Sequence, residues 1–459
     1  MPTPTRTTFS LLLNLLVLAI AVFFLVTPSP TFAAAIEKVL YSFCSASGCA
    51  DGSGPSSGPI FDAAGNLYGT TYAGGANNSG TVFQLTPGAG GTWTETVLYS
   101  FCSSTQCTDG AGPSGGLIFD AAGNLYGTTQ AGGAFGPNCG RFTSGCGTVF
   151  MLTPTGSGTW IETVLHSFND NGKDGVVPFA GLIFDAKNRL YGTTSSGGAN
   201  KAPVCGGDGC GTVFELKTGA GGKWTETVLH SFCHVDGCAG DGFQPLAGLI
   251  LDKAGNLYGT TNFGIPTGRC HGGAGCGTVF ELMPRTDGEW KEKVLHSFNV
   301  DDGKNPQAGL ILDAAGNLYG ATATVGTVFE LIKKDDWAGK VLHRFGKGND
   351  GANPYGTPIF DAAGNLYGTT YDGGTNKCSP DGVGCGTVFQ LSQGGNGTWT
   401  ESILYSFQNN GQDGIWPHAN LILDSVGNLY STTGAGGTGP CEDQYGDEIG
   451  CGTVLEITP

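Results

Sequence analysis

The stretch FDAAGNLYGTT at residues 61–71 decides the fold of this chain, because it returns six more times in closely similar form. The other copies lie at residues 119–129, 184–194, 251–261, 312–322, 360–370 and 423–433. Self-similarity at a long period indicates one array of stacked units rather than several unrelated domains. Because this motif is present in every copy, it indicates first a structural role that all copies share.

Each unit predicts four short β-strands. In the second unit these strands cover residues 116–120, 124–129, 147–154 and 159–168. The first strand is almost continuously apolar, which is typical of an inner strand between neighbouring sheets, and the others alternate. The first two strands join through D-A-A-G, in which Asp opens a turn and Gly takes a left-handed conformation. In the third unit Asn188 replaces this Gly, and Asn is the next-best residue for that conformation.

The two ends of the chain carry complementary parts of one unit. The fourth-strand signature VLYSF first occurs at residues 39–43, before any complete unit, and the last unit stops after its third strand at residues 452–457. An N-terminal outer strand that joins three C-terminal strands would close a ring and remove the free sheet edges. We therefore predict an all-β fold over residues 36–459, a seven-bladed β-propeller of four-stranded antiparallel blades closed in this way.

The N-terminal residues have the three parts of a secretory signal peptide. Arg6 precedes an apolar run over residues 9–26, and the small residues Ala33 and Ala35 form a cleavage site before Ile36. An uncleaved membrane anchor is the alternative, because a run of this length can just span a bilayer. We predict a signal peptide over residues 1–35, export to the exterior or the cell surface, and no stable membrane insertion after cleavage.

Charge and composition exclude one class of partner. The chain has 21 basic and 38 acidic residues and a net charge of −17. A nucleic acid backbone requires a basic surface, so we expect no nucleic acid partner. The 82 glycines and the 13% of charged residues indicate many tight turns and little solvated helix surface. We expect a monomer.

The 16 cysteines fall into eight close pairs. The even count, the local spacing and the export signal predict loop-closing disulfides in an oxidising compartment. Zinc is the alternative, but a zinc site needs two pairs that meet at one point. The topology places all eight pairs on one face of the ring, in loops between strands two and three or between strands four and one. The predicted pairs are Cys44 with Cys49, Cys102 with Cys107, Cys139 with Cys146, Cys205 with Cys210, Cys233 with Cys238, Cys270 with Cys276, Cys378 with Cys385, and Cys441 with Cys451.

A D-G-x-x-P motif precedes each inner strand and predicts a ring of carboxylates at the channel mouth. Hard cations prefer oxygen ligands, so this ring is a candidate site for calcium or a cationic ligand. The alternative is a turn in which Asp accepts backbone N–H bonds and Pro enters the strand. The seven carboxylates are Asp51, Asp109, Asp174, Asp241, Asp302, Asp350 and Asp413.

The histidines and tryptophans occur at two repeated positions of the outer strands and in the loops. His166, His230, His296 and His343 share one outer-strand position with Tyr41, Tyr99 and Tyr405, which favours a structural role. Six tryptophans open the outer strands and indicate edge packing or, alternatively, a glycan-stacking surface: Trp93, Trp160, Trp224, Trp290, Trp337 and Trp399. The candidate ligand contacts on the face of the ring that carries the disulfide loops are His234, His271, Trp416, His418 and Tyr445.

The motif D-x-x-G-N-L-Y followed by an outer strand resembles the NHL-repeat and gluconolactonase-like propellers. The longer order of GNLYGTT, GTVF and VLYSF is similar to the GloVer tandem-repeat family of secreted bacterial proteins, whose name stands for Gloeo/Verruco. This resemblance covers nearly all of the chain after residue 35. It implies a repeat module without an assigned biochemical activity, and it supplies no catalytic residues.

Together these patterns predict a secreted, non-catalytic binding or cell-surface interaction module, with a glycan or protein ligand on the disulfide-bearing face. An exported propeller enzyme, such as a lactonase-like hydrolase or a polysaccharide lyase with a cation at the channel mouth, is one alternative. A structural envelope protein is the other. Propellers host all of these functions, so the fold alone does not choose between them.

Overall fold

A computed structural model describes residues 35–459 with short gaps. The gaps are residues 135–138, 140–143, 235–237, 239–240, 265–269, 271–274, 335, 348, 379–381, 443–445 and 447. The predicted signal peptide lies outside the described residues except for Ala35. Within the described part of the chain, no helix has the length and apolarity that a membrane crossing requires.

The described strands form seven antiparallel blades around one axis, which confirms the predicted propeller. The inner strands are Ile60–Phe61, Ile118–Phe119, Ile183–Phe184, Ile250–Leu251, Ile311–Leu312, Ile359–Phe360 and Ile422–Leu423, in blades 1 to 7. The second strands are Leu67–Ala73, Leu125–Ala131, Leu190–Thr194, Leu257–Thr261, Leu318–Thr322, Leu366–Thr370 and Leu429–Thr433. The third strands are Thr81–Pro87, Thr148–Pro154, Thr212–Thr218, Thr278–Pro284, Thr327–Ile332, Thr387–Gln393 and Thr453–Thr458. The outer strands are Trp93–Ser100, Trp160–Ser167, Trp224–Ser231, Trp290–Ser297, Ala338–Arg344, Trp399–Ser406 and, for blade 7, Ile36–Ser42.

Short strands and turns lie on the disulfide-bearing face of the ring. Two link strands, Ser53–Pro55 and Ala111–Pro113, pair with the second strands of blades 1 and 2. Four two-stranded ribbons pair Gly175–Val176 with Ser196–Gly197, Gly242–Phe243 with Phe263–Gly264, Gly351–Ala352 with Asp372–Gly373, and Gly414–Ile415 with Ala435–Gly436. The described 3₁₀ turns on this face are Ser47–Cys49, Thr105–Cys107 and Pro203–Cys205, whereas Ala89–Gly91 and Ala220–Gly222 join third strands to outer strands on the opposite face.

The N-terminal outer strand closes blade 7 as the sequence predicts. It pairs antiparallel with the last strand of the chain from Ile36 opposite Thr458 to Ser42 opposite Thr453. The pairing skips one residue after Val39, and blade 2 shows the same irregularity between Val149 and Phe150. The N-terminal strand therefore pairs in blade 7 with the same geometry as the outer strands of the other blades, which follow directly after their third strands in the chain.

The hydrophobic core consists of seven clusters, one at each interface between neighbouring blades. At six of the seven interfaces, the Phe that follows the outer strand packs edge-on against the Phe of the third strand in the next blade, an arrangement that aromatic rings favour. In blades 1 and 2 the ring centroids of Phe101 and Phe150 lie 5.0 Å apart with planes at 65°. The equivalent pairs are Phe43 with Phe83, Phe168 with Phe214, Phe232 with Phe280, Phe298 with Phe329, and Phe345 with Phe389.

A glycine in the second strand makes room for each of these rings. A Cβ atom added to Gly127 would lie 2.6 Å from Cζ of Phe150, which is too close for any real contact. Blade 7 is the exception, because Ser431 and Leu455 pair across its strands in place of Gly and Phe. The smaller Leu side chain leaves space for a Cβ, so the two positions vary together within one chain.

The turn between the first two strands has the expected conformation. Oδ1 of Asp120 accepts hydrogen bonds from the backbone N–H groups of Ala122 and Asn124, each at 2.9 Å, and Gly123 has φ +84°. In blade 3, Asn188 takes the left-handed conformation with φ +57°. The sequence-based interpretation of this turn is confirmed, and turn geometry accounts for its Asp and Asn residues.

Gly127→Ser should destabilise the propeller by about 1–3 kcal/mol, because its Cβ would push against Phe150 in a packed interface. The double variant with Phe150→Leu, which copies blade 7, should lose less than the sum of the two single losses. Urea unfolding under non-reducing conditions measures both effects. Gly116→Ser is the control, since a Cβ there meets nothing within 4 Å. Equal losses in Gly116→Ser and Gly127→Ser would contradict the packing argument.

Candidate functional site

The central channel holds a cavity of about 430 Å³. Each blade contributes the short link between its D-G-x-x-P motif and its inner strand. The wall is drawn from residues 56–58, 114–116, 179–181, 246–248, 307–309, 355–357 and 418–420, together with Tyr371. Most of these residues are small, so the wall is largely backbone.

Threonines of the second strands hold this wall in place. Thr128 donates a hydrogen bond of 2.9 Å to the carbonyl of Ala180, which belongs to the wall of the next blade. Thr193 makes the same bond to Ala247 at 3.1 Å. At the ring closure, Thr432 donates to the carbonyl of Ser57 at 2.9 Å. The wall is thus fixed by bonds between blades, which suits a preformed binding cavity.

One side of the channel breaks the sevenfold pattern, because the rings of Tyr355, Tyr371 and His418 line it and the ring of Trp416 adjoins them. Tyr371 lies 4.5 Å from His418 and stacks on Trp416 with centroids 5.8 Å apart and planes at 22°. Tyr355 approaches Tyr371 at 5.5 Å and His418 at 5.9 Å. We call Tyr355, Tyr371, Trp416 and His418 the aromatic quartet. The predicted candidates Trp416 and His418 therefore come together, and their tyrosine partners were not foreseen.

Trp416 occupies a backbone position that is unfavourable for a large side chain. Its φ is +56°, in the left-handed region that suits Gly or Asn. Its indole Nε1 is buried and has no hydrogen-bond partner among the described residues. Both features cost folding free energy, although the ring also packs against the core cluster between blades 6 and 7. The equivalent residues in blades 1 to 6 are Gly54, Gly112, Val177, Gln244, Asn305 and Asn353.

The quartet is electrically neutral near neutral pH but has an acid beside it. Desolvation by the surrounding channel lowers the pKa of His418 below its ordinary value of 6.5, although the ring is exposed to the cavity. Desolvation and then the charge of Asp372 raise the pKa of Tyr371. Asp372 accepts a 2.7 Å hydrogen bond from Asn353, and its Oδ1 has no partner among the described residues. The site thus combines neutral rings with one acidic acceptor.

The seven D-G-x-x-P carboxylates lie beside the outer strands, and the residues that line the cavity follow them in each link. Asp109 is 3% exposed and accepts hydrogen bonds from the hydroxyl of Tyr99 at 2.8 Å and from the backbone N–H of Ser103 at 2.8 Å. Pro113 of the same motif would contact a Cβ added to Gly80, a residue of the preceding blade. These contacts fit the turn interpretation of the motif, and cation binding by the ring stays a prediction.

A glutamate of the next outer strand faces most of these aspartates, a feature that the sequence reasoning missed. Desolvation, followed by the charge of the neighbouring Asp, raises the pKa of six such carboxyl groups. The pKa is about 8 for Glu37 and Glu292 and about 7 for Glu95, Glu162, Glu226 and Glu401. The recurring E-x-V-L motif of the outer strand is the sequence signal for these glutamates. The motif does not show which Asp each Glu faces, because that Asp lies in the link before the inner strand.

The remaining predicted residues take separate places. His166, in the position shared by His and Tyr, has its Nε2 3.2 Å from Oδ2 of Asp174. Trp160 is half-buried and lies 6.4 Å from the ring of Tyr68 in the preceding blade, as edge packing predicts. His234 lies at Asp241, away from the residues that line the channel cavity. His271 and Tyr445 lie outside the described residues.

All eight predicted disulfides are present. They also hold the links, because the carbonyl of Cys385 accepts a 3.0 Å hydrogen bond from the backbone N–H of Trp416 in the next blade. Two pairs of disulfides meet across blades, with their sulfur atoms within 4.8 Å of one another: Cys44, Cys49, Cys441 and Cys451, and Cys205, Cys210, Cys233 and Cys238. This meeting was not visible in the spacing of the cysteines.

A larger groove of about 710 Å³ lies on the opposite face, between blades 3 and 4. Arg189 lines it and is already paired with Asp185 at 2.6 Å and with Glu215 at 2.8 Å. These ion pairs satisfy the guanidinium within the fold. The channel cavity is therefore the stronger candidate site, because the aromatic quartet makes no ion pair among the described residues.

The fold and the channel define a tandem-repeat β-propeller with one asymmetric cavity. The family model of the Gloeobacter/Verrucomicrobia repeat matches residues 22–204, 138–331 and 266–459. The chain belongs to this family. The comparison with curated proteins finds no match.

Solved propellers resemble the chain in fold. Virginiamycin B lyase from Staphylococcus aureus is 12% identical, with a TM-score of 0.50 over 93% of this chain and 99% of that one. A protein from Lactobacillus plantarum is 14% identical, with a TM-score of 0.44 over 82% and 95%. A putative gluconolactonase is 17% identical, with a TM-score of 0.38 over 75% and 93%. At 12% identity, the similarity to virginiamycin B lyase extends to the fold alone.

Glu162→Gln should make the propeller more stable at about pH 8 and leave it nearly unchanged at about pH 5. The folded state raises the pKa of Glu162 from 4.5 to about 7 by desolvation and the charge of Asp109. This raised pKa stabilises the fold at low pH, and the contribution is lost as pH rises through about 7. Gln keeps the neutral form at every pH.

Urea unfolding at a series of pH values measures this difference. Glu289→Gln, at an exposed carboxyl group, is the matched control and should show no such trend. A constant offset between Glu162→Gln and the unaltered chain from pH 5 to pH 8 would contradict the assignment.

Proposed function

We propose that this protein is an exported, non-catalytic binding module that holds a neutral glycan segment at the aromatic quartet. The eight disulfides are compatible with an extracellular location, which fits export. The quartet lies on the disulfide-bearing face, at the mouth of the channel.

The observation that carries the proposal is the cost of Trp416. Five of the six equivalent positions hold Gly, Asn or Gln, so the other blades form without a large ring there. A residue that destabilises its own backbone conformation is typical of functional sites. Its ring stacks on Tyr371 and so completes an aromatic surface that the other blades lack.

The chemistry of the quartet favours a sugar. Aromatic faces pack against the C–H face of a pyranose ring, while nearby polar groups accept or donate to its hydroxyls. Asp372, Asn420 and Thr357 supply such groups at or beside the cavity. A neutral ligand is favoured over an anionic one, because the neutral His418 offers no positive charge and the carboxylate of Asp372 repels anions.

Trp416→Asn should weaken glycan binding about 10-fold or more, equivalent to at least about 1.4 kcal/mol. The chain is first screened on a glycan array, and the best oligosaccharide is then titrated by calorimetry. Asn is the residue at the equivalent positions 305 and 353, so the variant should fold. Val177→Asn changes the equivalent position in blade 3 and should leave the affinity unchanged.

Two outcomes would contradict the proposal. Equal affinity in Trp416→Asn and the unaltered chain would remove the quartet as the binding site. Shortened sugars in the mixture after incubation would show catalysis and overturn the non-catalytic part.

A further inference from the structure

One link among the seven differs from the rest in a way that the fold does not require. It joins blades 3 and 4 and carries His234 beside Asp241. The equivalent positions in the two other links that contain a disulfide hold Ser45 and Ser103. Each Ser hydroxyl donates to its Asp at 2.9 Å, so Ser is sufficient for the turn. His234 therefore adds a second imidazole where a hydroxyl would serve.

The two imidazoles converge on a single carboxylate oxygen. Nε2 of His230 lies 3.1 Å and Nδ1 of His234 lies 2.7 Å from Oδ2 of Asp241. One ligand atom from each of these three residues lies within 4.8 Å of the other two. Two nitrogens and one oxygen at this spacing surround a point that a single ion can occupy after small side-chain shifts.

The carboxylate is oriented as metal-binding carboxylates are. Oδ1 of Asp241 accepts a 2.8 Å hydrogen bond from the backbone N–H of Cys233, which leaves Oδ2 for the imidazoles. The Asp241 side chain is fully buried, His230 is 12% exposed and His234 is 50% exposed. Such a bond fixes the ligand, and the exposed His234 provides an entry path from solvent.

A second carboxyl group lies near the three residues. Glu292 of the next outer strand is close enough to Asp241 for the two charges to interact, although it is not one of the three clustered ligands. Its Oε1 is buried and has no hydrogen-bond partner among the described residues. A buried acceptor without a donor is costly, and a cation would relieve that cost.

We infer that His230, His234 and Asp241 bind one divalent transition-metal ion, with Zn²⁺ as the best match. Imidazole nitrogen and carboxylate oxygen are the ordinary ligands of Zn²⁺, whereas Ca²⁺ takes oxygen alone. Three protein ligands leave one position for water. Among the described residues, no other link places two histidines at its Asp.

Zinc titration of the EDTA-treated chain tests this inference, with isothermal calorimetry for stoichiometry and thermal unfolding for stabilisation. A free-thiol assay first verifies that every cysteine is oxidised, so the neighbouring disulfides cannot supply thiolates. One zinc ion should bind and raise the unfolding midpoint. Ca²⁺ at the same concentration should not displace zinc from this site.

His234→Ser and His230→Tyr should each weaken zinc binding about 10-fold or more. Both variants copy residues that equivalent links contain, Ser45 and Tyr41, so both should fold. His296→Tyr is the control, because the link of Asp302 lacks a second histidine, and it should bind zinc as the unaltered chain does. Absence of zinc binding, or unchanged binding in His234→Ser and His230→Tyr, would overturn the inference.

Discussion

The structure depends on the packing of each blade against its neighbours. The blades contain no covering helix among the described elements, so each sheet buries its apolar faces only against the sheets on either side. The Phe that ends one outer strand meets the third-strand Phe of the next blade, and a glycine below that ring, such as Gly127, makes the contact possible. A ring built on this contact must close, because an open end would leave one sheet face uncovered. The N-terminal strand meets that requirement in blade 7.

The same constraint makes departures from the repeat informative. Where Phe becomes Leu455, Gly becomes Ser431, so this departure restores packing. Where the outer-strand Glu becomes Gly339, a void of about 50 Å³ beside His296 and Asp302 remains. Trp416 and His234 belong to neither kind. Trp416 packs against the core at a position where the other blades have no ring, and His234 stands where the equivalent links have Ser. A residue that departs from the repeat without restoring the packing therefore indicates a function specific to its own blade.

The D-G-x-x-P link connects these features. Its Asp accepts hydrogen bonds from the preceding outer strand and its turn, its Pro lies against a glycine of the preceding blade, and the residues after Pro form the channel wall. The disulfides hold the adjoining loops, and the carbonyl of Cys385 fixes the residue before Pro417. One short segment thus serves the interface, the channel and both proposed sites. Side chains at two of its variable positions can change without loss of the frame, which is how a repeat scaffold carries local chemistry.

The sequence by itself determined the seven blades, the strand order, the ring closure, the Asn188 turn and the pairing of the cysteines. Period, phase and local spacing carry these features, since they depend on residues that are close in sequence or repeated in every unit. Trp416 and His418 were also identified as candidates, but Tyr355 and Tyr371 were not. The tertiary structure alone decided that the carboxylates lie at the outer strands, that Glu162 faces Asp109, and that the four rings meet. These partners come from different blades about 50 residues apart, and only the curvature of the closed ring sets which side chains meet there.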